Sequence, residues 1–199
     1  MKRWLSLILA VAVMHRAGAQ RTVHLALGLT RSSDLAHDAT LDNTVLKLAL
    51  APGATIGLGW PINAAGTYRV IFEAGYGTSK MSASDSTGGT SDLGSVATIT
   101  TSAMLDGRVR GALRWQAGAG ILFYRPAEHS GVFLEGAVHR YLLSGGLSWT
   151  RPLTPDLSLL VLGRYSFQEF ITPTLVARGY SSYQTVHRLG LHAGVERRF

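Results

Sequence analysis

From Thr22 to Phe199 the chain is written in period two. The odd positions of Thr22 to Thr30 are Val23, Leu25, Leu27 and Leu29, with His24, Ala26, Gly28 and Thr30 between them. Successive side chains of a β-strand point to opposite faces, so this segment is a ribbon with one apolar side. From Thr44 to Trp60, Leu46, Leu48, Leu50, Ala54, Ile56, Leu58 and Trp60 alternate with Lys47, Ala49, Ala51, Gly53, Thr55, Gly57 and Gly59. Tyr68, Val70, Phe72, Ala74 and Tyr76 follow, set against Arg69, Glu73, Gly75 and Gly77. The alternation continues in Ala97 to Leu105, Leu113 to Phe123, Tyr141 to Trp149, Leu159 to Phe167 and Leu189 to Phe199, which makes eight strands. A face of glycine, arginine and glutamate does not make a soluble core, so the leucine side is the one that meets an apolar medium.

The start of the chain has a different character. Lys2 and Arg3 precede an apolar run from Leu5 to Met14, and Ala17-Gly18-Ala19 supplies small residues, so residues 1–19 read as a secretory signal peptide and residues 20–199 as the mature domain. The run is shorter than the ~18–20 apolar residues a spanning helix needs, and no later stretch reaches that length. Removing Lys2, Arg3 and Arg16 lowers the formal net charge from +7 to +4. With no lysine-rich cluster, nucleic acid is not an expected partner. The chain has no cysteine, which excludes thiolate metal sites and thiol nucleophiles. The histidines show no paired ligand spacing, so neither a metal nor a cofactor is expected.

Connection lengths sort by side. Pro61 to Thr67, Asp106-Gly107-Arg108 and Arg151 to Asp156 are short turns, whereas Arg31 to Asn43, Ser79 to Ser95, Arg125 to Val138 and Ile171 to Ser182 are long polar loops. Trp60, Trp115, Trp149 and Tyr68 lie on the apolar face toward the short turns, and Tyr165 and Phe167 lie toward the long loops. Two aromatic girdles of this kind mark the two interfaces of a membrane. The reading is therefore all-β: an eight-stranded antiparallel up-and-down transmembrane β-barrel, with about 22 residues per strand and connection against the ~9–11 needed to cross a bilayer. Closure is obligatory, because backbone N–H and C=O groups cannot go unpaired in hydrocarbon.

In such a barrel the other face looks inward and is filled by side chains. The predicted interior polar network comprises Lys47, Arg69, Glu73, Arg114, Gln116, Arg164, His192 and Glu196, with Arg110, Arg140, Gln168, Arg188 and Arg198 also inward. Glu73 and Glu196 are each expected to pair with arginine, since unpaired buried charge is costly. Leu191, Val195 and the final Phe199 resemble the terminal-strand signature of bacterial outer-membrane β-barrel proteins, and the closest shape is the small eight-stranded OmpA/OmpX-like barrel. Arg197 departs from the family's apolar preference two residues before the end. The resemblance implies an outer membrane of Gram-negative type, lipid as the surrounding partner, periplasmic chaperones and the barrel-assembly machinery during biogenesis, and a monomer. It also implies a structural or surface-interaction role carried by the long loops.

Three other readings use the same residues. Outer-membrane lipid A deacylases and palmitoyltransferases suggest His129 with Ser130, or His37 with Asp85 and Ser86, as nucleophile and base sets. However, the adjacent His-Ser pair departs from the deacylase spacing, and Asp-Ser is common in polar loops. An arginine-lined lumen suggests a narrow pore. A lipocalin-like carrier would invert the two faces, putting the aliphatic side within. The end-placed tryptophans and the alternating connection lengths favour the membrane orientation.

Overall fold

The computed structural model describes residues 21–37, 44–85, 87–128, 131–134, 136–177 and 184–199. Residues 1–19, expected from the sequence to be a signal peptide, lie outside them. The strands are β1 (Thr22–Ser32), β2 (Ala36–His37), β3 (Val45–Leu48), β4 (Ala51–Pro61), β5 (Tyr68–Ser84), β6 (Thr90–Arg110), β7 (Leu113–Pro126), β8 (Val138–Pro152), β9 (Leu157–Phe170) and β10 (Gln184–Arg198). A short helix α1 (Pro173–Ala177) and a 3-10 turn (Gly131–Phe133) lie on the long connections. Every pairing is antiparallel. β1 pairs with both β4 and β10, and β5 with both β4 and β6, so eight strands close into a ring while β2 and β3 prolong one side of the wall. Closure through β1 is sealed at its end by two backbone hydrogen bonds between Arg21 and Phe199, of 3.0 and 3.1 Å.

The outward face is the aliphatic one. Leu27 is 65% exposed and Leu189 64%, and the outward Leu25, Ile56, Phe72, Leu143 and Leu147 are likewise exposed. Such a continuous apolar outer surface is costly in water and suits hydrocarbon. Trp149, Tyr68, Tyr165 and Phe167 are exposed on this face, and Trp60 and Trp115 are half-buried among their neighbours. The Trp60 ring meets Phe72 edge-on at 5.7 Å.

Three local expectations are corrected. Lys47 is exposed on the outer side rather than inside, and Leu46 is buried rather than outward. The cause is one extra residue. Leu48 pairs with Met81 but Gly53 pairs with Gly77, so the β3–β4 side gains a residue on β5 between these points. A one-residue slip exchanges the two faces of everything beyond it. The loosened backbone is held by Ala49 N–H donating to Lys80 O at 2.9 Å and by Ser79 Oγ donating to Ala49 O at 2.6 Å.

The segment from Ser79 to Ser95 is mostly strand, not loop: β5 and β6 run on together to the Ser84–Thr90 pair. The turn at their tip is built on Asp85, whose Oδ1 accepts from Thr87 N–H, Thr87 Oγ1 and Gly89 N–H at 2.9, 2.7 and 2.8 Å. Gly88 supplies the positive φ of 85° that this turn requires. Lastly, Asp106-Gly107-Arg108 is not a turn. Asp106 pairs with Gln116 inside β6–β7, and the chain reverses at Gly111, leaving Arg110 exposed instead of inward.

A candidate site in the barrel interior

The inward residues fall into two storeys. At the short-turn end a charged network fills the lumen, and its layout follows from strand register. Arg69 lies directly across from Asp106, and Asp106 across from Gln116. Arg69 Nε donates to Asp106 Oδ1 at 3.0 Å, and its Nη1 reaches Glu196 Oε2 at 2.9 Å and Thr22 Oγ1 at 3.4 Å. Arg114 also bonds Asp106 through Nε, and donates from Nη2 to Thr67 O at 3.0 Å. Gln116 Nε2 completes the set on Asp106 Oδ2 at 3.3 Å.

The third acid, Glu73, is reached across a gap that glycine leaves open. His24, Gly57 and Glu73 stand side by side on β1, β4 and β5. A Cβ on Gly57 would come within 2.2 Å of the His24 ring, so only glycine lets the imidazole lie across β4. His24 Nε2 then stands 3.1 Å from Glu73 Oε2. Arg164 clamps the same carboxylate with both terminal nitrogens, and its Nη2 also donates to Gln116 Oε1 at 3.0 Å. Thus Arg69, Glu73, Arg114, Gln116, Arg164 and Glu196 come together in one connected cluster. Asp106, its fully buried centre, was assigned to a turn by sequence reasoning. Its signal was present: it continues the even-numbered inward phase of Ser102 and Met104.

The loop end is apolar. Leu35, Leu46, Met81, Val96, Leu122, Leu142 and Val186 are buried together with Val132 and Phe133 from the 3-10 turn and Leu175 from α1. Tyr124, Phe133 and Phe170 pack as a triangle of rings with centroids 5.2 to 6.2 Å apart. Fully burying one such side chain contributes about 1.5–3 kcal/mol. The long connections are therefore anchored into the barrel mouth by their own apolar residues. Sequence reasoning treated these connections as polar and missed the cluster, although Met81, Val96, Leu122, Tyr124 and Val186 hold the inward phase of their strands.

Between the storeys lies a cavity of about 80 Å³. Its lining includes Glu73, Arg164, Arg188 and His192 with the hydroxyls of Thr55, Thr98, Ser144 and Ser166. His192 thus borders the charged cluster instead of bonding within it.

Of the residues suggested for lipid chemistry, Ser86, His129 and Ser130 lie outside the described residues. His37 is exposed on β2, two strands from Ser84, while the neighbouring Asp85 is committed to its own turn. The Thr87 hydroxyl and the backbone amides of the turn hold the Asp85 carboxyl below its usual range. Leu191, Val195 and Phe199 are exposed along the outer side of the closing strand.

Neither a protein-family model nor a curated protein sequence matches the chain. Solved structures do. OprG of Pseudomonas aeruginosa aligns over 90% of this chain and 95% of its own, at 12% identity and a TM-score of 0.59. The outer membrane protein AlkL, solved in lipid bilayers, aligns over 90% of each chain at 12% identity and 0.58. Neisserial surface protein A covers 90% of this chain and 97% of its own at 17% identity and 0.50.

The fold is that of the outer-membrane β-barrels.

In this barrel the aliphatic side of each of the eight ring strands faces outward. The soluble-carrier orientation, with leucines within and arginines without, is overturned by the exposed Leu27 and Leu189 and the buried Arg69, Glu73 and Arg114.

Proposed function

We propose that this barrel does not conduct solutes from one side to the other and acts from its outer surface, as a structural or surface-interaction protein whose long connections form the working face. One observation carries the reading: the lumen is filled twice over, by the Arg69–Asp106–Glu196 and Glu73–Arg164 cluster at one end and by the Tyr124–Phe133–Phe170 cluster at the other. Charged side chains held by several hydrogen bonds each do not part for ions without a large cost. The apolar cluster in turn gives the loop end a fixed shape, as a surface that recognises a partner needs. Lipid surrounds the monomeric barrel. Periplasmic chaperones and the barrel-assembly machinery are the partners of biogenesis, with Leu191, Val195 and Phe199 as the assembly signal.

The test has two arms. In planar bilayers the refolded barrel is expected to be silent, and steady conductance sensitive to Arg114→Glu or Arg164→Glu would favour a pore. Cells expressing the chain are expected to adhere to plates coated with extracellular-matrix protein or polysaccharide. Replacing the Asp85–Gly89 tip by Asn-Gly should abolish that adhesion while the folded gel mobility is kept. Equal adhesion with and without the chain on every coat would sink the surface reading.

A further inference from the structure

Among the described residues most of the lumen's charges pair off; Arg140 and Arg188 meet no acid, and of the two it is Arg188 that lines the cavity. Arg69 and Arg114 share Asp106, with Glu196 completing Arg69, and Arg164 is clamped on Glu73. Arg188 has no such acid. It is 9% exposed, and its Nε has no hydrogen-bond partner. Register shows why. Its cross-strand neighbours are Ser166 on β9 and Ser32 on β1, and Ser144 stands beyond Ser166 on β8, so the row carries hydroxyls where the other arginines meet carboxylates. The titratable groups facing it are the Tyr124 phenol and the His192 imidazole.

Arg188 lines the cavity between the two storeys, and so does Thr55, whose buried Oγ1 is also without a partner. The charged walls are Arg164 and Arg188 against the single carboxylate of Glu73, with His192 beside them. Arg164 already neutralises that carboxylate, which leaves one guanidinium charge uncompensated in a chamber lined with hydroxyl donors. An isolated buried cation is among the most costly groups a protein can hold, and it is retained where something neutralises it. A guanidinium presents parallel N–H groups matched to two oxygens of a carboxylate or phosphate. The cavity of about 80 Å³ has room for such an ion.

We propose that the chamber is a binding site for a small free oxyanion of the phosphate or carboxylate class, held by Arg188 with Ser166, Ser144 and Thr55 as hydroxyl partners. The site lies inside the wall, away from acyl chains, and does not depend on what the loops bind.

The experiment uses the full barrel refolded in phosphate-free detergent, with inorganic phosphate added at constant ionic strength. The ³¹P resonance of phosphate should broaden and the thermal unfolding midpoint should rise with phosphate, and acetate should compete. Arg188→Gln should weaken the effect at least tenfold, and Arg188→Lys should keep part of it. A parallel arm with a phosphate-bearing lipid in place of free phosphate should leave the acetate-competed site empty; occupancy by the lipid would overturn the free-ion assignment. No broadening and no stabilisation in the unsubstituted barrel would overturn the site itself. So would an equal response in Arg188→Gln, which places binding elsewhere. Should Arg188→Gln fail to show the folded gel mobility, Arg188→Lys and acetate competition on the unsubstituted chain decide the question alone.

Discussion

At the scale of single residues, Asp106 is the side chain on which most depends. It is fully buried and accepts from Arg69, Arg114 and Gln116. Asp106→Asn leaves two guanidinium groups short of a counter-charge, and breaking a buried ion pair costs about 3–5 kcal/mol. Urea unfolding in micelles should show a loss of that size, well beyond that of Asp92→Asn on the exposed hairpin. Gly57→Val should also destabilise, by about 1–3 kcal/mol, because the new Cβ displaces His24 from Glu73. Loss of the His24 Nε2 to Glu73 coupling in an NMR spectrum would identify that cause. The Asp85 carboxyl, at the tip outside the membrane, is held below its usual range by the Thr87 hydroxyl and the turn amides. A depressed acid stabilises the turn above its unfolded value of ~3.9, and that contribution fades as pH falls through the lower folded value. Protection of the Thr87 and Gly89 amides, taken relative to their intrinsic exchange rates, should therefore fall in acid, and Asp85→Asn should remove that change in protection.

At the scale of elements, the slip between β3 and β4 shows how much one residue governs. Period two specifies faces only while the register is continuous, and the alternation of Leu46, Leu48 and Leu50 runs through the slip without a mark. Deleting Leu50 should restore the continuous phase, carrying Lys47 inward and Leu46 out. We expect the folded gel mobility to be lost in that variant, whereas Lys47→Leu alone should be tolerated. Leu46→Ala should cost about 2–5 kcal/mol as a buried deletion. The same logic explains the hairpin of β5 and β6. Ser, Thr and Gly from Ser79 to Ser95 read as a loop because no apolar medium surrounds that extension, so polar residues serve on its outer face while Met81 meets the apolar cap.

At the scale of the whole molecule, a lipid-restricted photoprobe should label Leu27, Leu143 and Leu189 and spare Met81, Leu122 and Val186, although all are aliphatic or methionine. The eight-strand count, the antiparallel order and the lipid side of the wall were legible in the chain, because alternation is a local property and a closed barrel repeats it in each strand. Glu73 and Glu196 were also legible as inward acids. Which arginine each meets was not: Arg164 is far from Glu73 in sequence and reaches it only across the closed lumen. Nor was the apolar cap, since Leu35, Phe133 and Leu175 come from connections with no period of their own. By itself the sequence determined which face of each ring strand seeks hydrocarbon, since that depends on side-chain chemistry two residues apart. Tertiary structure alone decided the partners inside, the slip in β3–β4 and the unpaired Arg188. Those depend on which strands stand opposite one another once the ring has closed, and on the count of residues between them.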